Sequence, residues 1–361
     1  MKTAFGKLAL TLAGLMLAAT VQAQTPRSPT LDKIAASGTI YLGYREAALP
    51  FSYLNGQDAP RGYSIELCQH VVEAVKRRLG RTQLNVVYVP VSTGSRQMLL
   101  ETGTVDLECG AATNTLQRQR YVSFSVTTFV AGVKTLVRKD TGIRSLDDLR
   151  GKVVLTDPGT SSEAALRSAA LRQGLGLTYR AGRDPEDALQ QVLDGRAEAM
   201  VFDEVQLKAL LLGRDAAEVA RLMMLDDSMA AEPYALVFKR NDPGFKSLVD
   251  ATLVDLMQRG ELARIYERWF VAPIPPSGRS LELPMSELLK QLIETPNDRG
   301  GGCSSPVPPR RALATRRWLA PSLRGNPALR LLESTLPAQR RRHASRLPRK
   351  NPHRPGLRRR C

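Results

Sequence analysis

Residues 108–118 of this 361-residue chain read Glu108-Cys-Gly-Ala-Ala-Thr-Asn-Thr-Leu-Gln-Arg118. The run Thr104-Val-Asp-Leu-Glu-Cys109 leads into them with strand-like composition and stops at Gly110. Small and hydroxylated residues with free backbone N–H groups follow, and an arginine stands about one helical turn beyond Thr113. The pattern suits a carboxylate. Arg118 can grip two oxygens in parallel while Thr113 and nearby amides supply further donors. The same residues also fit an ordinary strand–turn–helix junction whose arginine faces water.

Outward from this segment, short apolar runs alternate with helical patterns. Thr39–Gly43, Val86–Val89, Val153–Leu155 and Ala199–Phe202 read as strands. Ile65–Leu79, Ser162–Gln173, Pro185–Asp194, Glu204–Leu212 and Pro243–Arg259 have helical spacing. Such alternation predicts an α/β fold with mostly parallel strands. Ser145, with Asp148 three residues on, has the form of a capping box, and Gly151 closes that short helix. About 270 residues of body are long for one globule, so two lobes are expected.

The ends differ in kind from this body. Met1 to Ala23 reads as a secretory signal: Lys2 and Lys7, an apolar run from Leu8 to Ala19, and a small-x-small site at Val21-Gln-Ala23. The apolar run is short for a membrane span, which leaves an exported, soluble mature chain. The formal charge of +17 is concentrated after residue 298, where arginines cluster at 310–311, 316–317, 340–342 and 358–360 and Glu333 is the one acid. Without that segment the body is close to neutral, so the charge says nothing about a nucleic-acid site in it. The 299–361 tail is expected to be disordered. It could bind anionic lipid or nucleic acid, be a solvated extension, or be an out-of-frame translation of GC-rich DNA.

Several motifs then occur in a fixed order: Gly43-Tyr-Arg-Glu-Ala-Ala-Leu-Pro-Phe-Ser-Tyr53, Gly62-Tyr-Ser64, Glu108-Cys-Gly-Ala-Ala-Thr-Asn114, Trp269-Phe270 and Pro273-Ile-Pro-Pro276. With them the chain, from roughly Leu31 to Asp298, resembles the amino-acid-binding proteins of ABC importers (solute-binding protein family 3), closest to those for glutamate and aspartate. The resemblance implies a type II periplasmic-binding-protein-like fold, with two α/β lobes joined by two hinge strands. It implies residues 24–131 for the first part of lobe 1, 132–233 for lobe 2, and 234–298 for the return to lobe 1. Phe129–Lys134 would carry the chain out and Tyr234–Phe238 would carry it back. The resemblance also favours the out-of-frame origin of the tail, because similar proteins end near Pro296–Asp298. It further implies a periplasmic monomer that hands L-glutamate or L-aspartate to an inner-membrane permease, without a cofactor or metal and without nucleic acid.

A free amino acid needs a cation for its α-carboxylate and an anion for its ammonium. Arg118 is the first, with Thr113 and the backbone of Ala111, a position where close relatives carry serine. Asp203, at the end of Ala199–Phe202, is the second; a helix N-cap before Glu204 is the other reading of that residue. Gly159-Thr-Ser-Ser-Glu163 is a hydroxyl-rich turn opening a helix, where the dipole and free N–H groups favour a carboxylate. Thr160 and Ser161 match ligand-contacting hydroxyls of the family. Arg45 and Arg96 match the arginines that hold a second, side-chain carboxylate, and Thr93 adds a hydroxyl. An unpaired carboxylate in a closed cleft is disfavoured, so extra cations imply a dicarboxylic ligand. Pro185 stands where relatives have a histidine, and Asp157-Pro158 replaces a threonine–serine pair. These departures bear on the choice between glutamate and aspartate.

In an oxidising compartment Cys68 and Cys109 could form a disulfide pinning the ligand loop to the first lobe; two buried thiols are the alternative. Neither spacing suggests zinc. The body has one histidine, His70, which leaves little material for a nucleophilic triad. Gly174-Leu-Gly176 lacks the setting of a dinucleotide site, and no phosphate-binding Gly-Lys-Ser/Thr loop occurs. The chain therefore reads as a binder. An exported lyase on the same fold, resembling the cyclohexadienyl dehydratases, is the other class considered, and it would need a carboxylic acid poised over a leaving hydroxyl.

Overall fold

The computed structural model describes residues 27–56 and 59–301. The signal-like segment 1–23, Cys303, Cys361 and the arginine clusters lie outside the described residues.

Two sheets organise the chain. Apart from a small hairpin of Ala47–Ala48 with Ser52–Tyr53, the strands in order are β1 (Thr39–Tyr44), β2 (Asn85–Pro90), β3 (Leu107–Glu108), β4 (Val122–Phe124), β5 (Phe129–Arg138), β6 (Val153–Leu155), β7 (Thr178–Arg180), β8 (Ala199–Asp203), β9 (Leu222–Met224), β10 (Ala231–Tyr234) and β11 (Val237–Lys239). The first sheet runs β2-β1-β3-β11-β4 and the second β9-β5-β8-β6-β7. In each, four strands run one way and one runs against them: β11 in the first and β5 in the second. The antiparallel members are those that arrive late in the sequence or pass between the sheets.

Each sheet buries both faces under helices, which is why its strands read as nearly unbroken apolar runs. Along β5 and β8 the side chains alternate. Val133, Val137, Ala199 and Val201 enter one core with Leu166 and Ala169 of the helix Ser161–Gln173. Leu136, Met200 and Phe202 enter another, with Leu189 and Val192 of the helix Pro185–Leu193. That helix starts as Pro185 and its capping residue dictate: Asp184 accepts from Asp187 N at 2.8 Å, and proline gives up no hydrogen bond at the first helical position.

β5 is shared by both lobes. Phe129 and Ala131 lie in the first core, while Val133 and Val137 lie in the second. β10 runs back beside it, pairing Ala231–Tyr234 with Phe129–Gly132. The return crossing therefore lies at Ala231–Tyr234, upstream of the Tyr234–Phe238 expected from sequence, because Val237–Lys239 already pairs with β3 and β4. An aromatic cluster supports the start of this pair. Phe51, Phe129, Phe270 and Tyr266 pack with ring centroids 4.4–5.9 Å apart. Burying each such ring contributes about 1.5–3 kcal/mol.

Gly62 caps the helix Tyr63–Leu79 with φ 135°, and a β-carbon there would come 2.3 Å from Phe51 O. Only glycine fits so close to the backbone that carries Phe51. The same helix bears Cys68, bonded to Cys109 at the end of β3 with Cα atoms 6.1 Å apart. Ser64 donates to Gly110 O at 2.8 Å, so two adjacent links tie the loop after β3 to this helix.

The end of the described chain holds that loop from its other side. Asp298 O accepts from Asn114 Nδ2 at 2.9 Å and from Gln119 Nε2 at 3.0 Å, and Gly301 N donates to Asn114 O at 2.9 Å. Lys246 pairs with Asp298 at 2.9 Å. Arg299–Gly301, assigned to the tail by sequence, thus lie against residues 114–119, with Gly301 bridged to Thr115.

Candidate functional site

The candidate residues come from the carboxyl ends of strands in both sheets, where open α/β folds place their ligands. Arg45 follows β1, and its Nη1 donates to Thr93 Oγ1 at 3.1 Å. Arg96 opens the short helix Arg96–Glu101, and its Nη1 is buried without a hydrogen-bond partner among the described residues. Arg118 follows β3 on the pinned loop; its Nη1 donates to Thr113 O at 2.9 Å, and its backbone N–H donates to Thr115 Oγ1 at 3.1 Å. Burial and then the charge of Arg96 lower the pKa of Arg118 to about 10. The same two causes lower that of Arg45. The structure has thus set Arg96 close enough to both Arg45 and Arg118 for each to feel its charge.

Under them lies a residue that the sequence reading quoted but gave no role. Glu108 on β3 is fully buried, and neither carboxylate oxygen has a hydrogen-bond partner among the described residues. Burial raises its pKa, opposed by Arg96, Arg45 and Arg118. The available signal was an acid inside a strand whose neighbours, Leu107 and Cys109, are both apolar: period-two alternation cannot send such a side chain to solvent when both faces are covered.

The second sheet brings Asp203 at the end of β8 and the hydroxyl turn at the start of the helix Ser161–Gln173. Asp203 precedes the helix Glu204–Leu212 but makes no side-chain cap to it. Its Oδ1 accepts from Ser162 Oγ at 2.7 Å, and its Oδ2 accepts from the Tyr234 hydroxyl. Burial raises the pKa of Asp203, opposed by the bonds from Tyr234 and Ser162 and by the charge of Arg118. Thr160 is committed to capping: its Oγ1 accepts from Glu163 N at 3.2 Å and donates to Asp157 O at 2.6 Å. Asp157, from the same turn, is raised by burial and feels Arg45 and Arg96 across the gap between the sheets.

Ser161 does something different. Its hydroxyl lies 2.9 Å from Thr113 Oγ1 and 2.6 Å from Glu232 Oε2, and Thr113 Oγ1 donates to the same Glu232 oxygen at 2.7 Å. Glu232 sits on β10 opposite Ala131, buried, with a pKa raised to about 7 by burial and then by Asp203. It was not singled out from sequence. Between Ala231 and Pro233 it carries no spacing signal, and only the pairing of β10 with β5 brings it here. Ala111 is half-buried against the first core.

Of the nine residues nominated, Thr113, Arg118, Ser161 and Asp203 converge with Glu232, and Arg45, Thr93 and Arg96 form a neighbouring group around Glu108. Among the described residues no cluster of His, Cys, Asp and Glu is arranged to hold a metal ion. The arrangement can hold a molecule with separated charges: guanidiniums and hydroxyls for carboxylates on one side, and buried carboxylates for an ammonium on the other.

Comparison with known proteins supplies the context. The family of bacterial extracellular solute-binding proteins, family 3, matches residues 40–272. The L-glutamate/L-aspartate-binding protein of Pseudomonas aeruginosa is 40% identical over 277 residues, covering 75% of this chain and 89% of that protein. The glutamate/aspartate import solute-binding protein of Escherichia coli K12 is 35% identical over 272 residues, with 75% and 89% covered. Among solved structures, a putative binding component of an ABC transporter from Wolinella succinogenes, complexed with lysine, gives a TM-score of 0.56 at 26% identity, covering 65% of this chain and 97% of that one. A cysteine-binding protein from Campylobacter jejuni gives 0.56 at 22% identity, covering 67% and 93%, and speaks to the fold alone.

Proposed function

This chain belongs to the bacterial extracellular solute-binding proteins, family 3, with a type II periplasmic-binding-protein-like fold, and from that premise we propose that it captures L-glutamate or L-aspartate for an ABC importer. The observation that carries the reading is the trio Arg45, Arg96 and Arg118. The three guanidiniums are half-buried, and the charge of Arg96 acts on the other two, whose pKa values are lowered first by burial and then by that charge. Glu108 offsets one charge, and a ligand with two carboxylates offsets the others.

In this reading Arg118, Thr113, Ser161 and the amides near Ala111 and Thr160 hold the α-carboxylate. Asp203 takes the ammonium. Arg45 and Arg96, with Thr93, hold the side-chain carboxylate. The ligand finds all its partners only when the lobes are together, so it shifts the population toward the closed form. That form is what an inner-membrane permease would receive in the periplasm, where segment 1–23 would have directed the chain as a monomer. The lobes would divide as residues 24–131 and 234–298 against 132–233.

Calorimetric titration of the full chain with L-glutamate, L-aspartate, L-glutamine, L-arginine and L-histidine tests the assignment. The two acidic amino acids should bind well above the rest and be recovered unchanged. Tighter binding of arginine would overturn it.

A further inference from the structure

The donors assigned to the ligand's α-carboxylate are engaged by the protein itself. Thr113 and Ser161 carry one hydroxyl proton each. Both oxygens lie within 2.7 Å of Glu232 Oε2, so neither hydroxyl has a proton left for another acceptor while Glu232 is ionised and keeps its place. Arg118, the third member of the set, adds its charge to the same carboxylate. Glu232 is 4% exposed, and its backbone is locked by the pairing of β10 with β5. It meets Thr113 from the loop of the first sheet and Ser161 from the helix of the second, with Asp203 and Tyr234 beside it.

Resting on the reading of Thr113, Ser161 and Arg118 as carboxylate donors, we propose that Glu232 is an affinity-setting residue. Its carboxylate stands in for the ligand's, links the two lobes before any ligand arrives, and must be displaced when the ligand takes its seat. The same three groups then serve in turn an internal and an external carboxylate. The ligand's gain is the difference between the two, not the full worth of its hydrogen bonds.

Glu232→Ala and Glu232→Gln in the full chain separate the possibilities. Small-angle scattering without ligand should show Glu232→Ala with a larger radius of gyration than the unaltered protein, returning to its value on addition of L-glutamate. Calorimetry at pH 8, where the Glu232 carboxylate is ionised, should show both variants binding L-glutamate at least about fivefold more tightly, since a charged hydrogen-bonding competitor is removed or made neutral. An unchanged ligand-free radius, or weaker binding by both variants, overturns the proposal; the second result would make Glu232 a direct ligand contact. If Glu232→Ala does not fold, Glu232→Gln keeps the shape and decides by the same two measurements. Failure of the unaltered protein to bind either acidic amino acid would remove the ligand reading. The scattering comparison needs no ligand and still decides whether Glu232 links the lobes.

Discussion

Gly110 lies so closely over Glu108 that a β-carbon on it would meet Glu108 Oε1 at 2.2 Å, and Arg45 Cγ at 2.9 Å. Nothing in the backbone conformation at Gly110 demands glycine; the buried carboxylate and the arginine stem do. Gly110→Ala should push one or both aside at a cost of about 1–3 kcal/mol. We expect L-glutamate affinity to fall about tenfold or more in calorimetry. Undiminished affinity would show that the spacing between these two residues is not needed.

Arg118→Lys keeps a positive charge but loses the planar fork. Its Kd for L-glutamate should rise by about a hundredfold, near 2.8 kcal/mol at 1.4 kcal/mol per decade. Asp203→Ala should weaken binding at least as much. Equal affinity of Arg118→Lys and the unaltered protein would mean that the α-carboxylate is held elsewhere.

Arg96→Ala is expected to change selectivity more than capture. Without one cation of the neighbouring group, L-glutamate should lose at least about tenfold while L-glutamine changes little. A parallel loss for both amino acids would assign Arg96 to the α-carboxylate instead.

Glu232 titrates at about 7 in the folded chain, against an ordinary value of 4.5. Between those values the folded state holds a proton that the unfolded state has released, so stability falls as pH rises through the window and stays low above it. Burial raises Glu108 and Asp203 in the same direction. Urea unfolding should therefore give lower stability at pH 8 than at pH 5. Glu232→Gln should reduce that difference and exceed the unaltered protein at pH 8. A steeper pH dependence in the variant would contradict the assigned shift.

The bond between Cys68 and Cys109 closes a loop across 41 residues of sequence. In the chain-entropy model such a loop contributes about 4 kcal/mol by restricting the unfolded chain. Cys68→Ser with Cys109→Ser should lower the denaturation midpoint clearly, and reductant should lower that of the unaltered protein alone. A midpoint insensitive to reductant would mean that the bond is absent in solution.

Much of the architecture was readable because it follows from short-range chemistry. Asp184-Pro185 and Thr160 with Glu163 start helices where their side chains predict. The apolar runs became strands because two covered faces need them. Asp203 was legible only as one of two roles. Its side chain makes no cap and turns instead to Ser162 and to Tyr234, a partner 31 residues away in sequence. Glu108 and Glu232 could not be assigned from composition. Their meaning depends on arginines and hydroxyls delivered by other strands, and the register of β10 against β5 is not encoded near Glu232. The crossing strand was misplaced for a related reason: Ala231–Tyr234 includes a glutamate and a proline, which weaken its appearance as a strand, whereas Tyr234–Phe238 is uniformly apolar.

The strap formed by Asp298 and Gly301 has a practical consequence for anyone handling this protein. Gly301 donates to Asn114 four residues from Arg118, so a label joined directly after it begins at the doorstep of the binding loop. An environment-sensitive dye attached there would report occupancy without a mutation in the interior. A sensor chip coupled at that point would crowd the loop that carries Arg118.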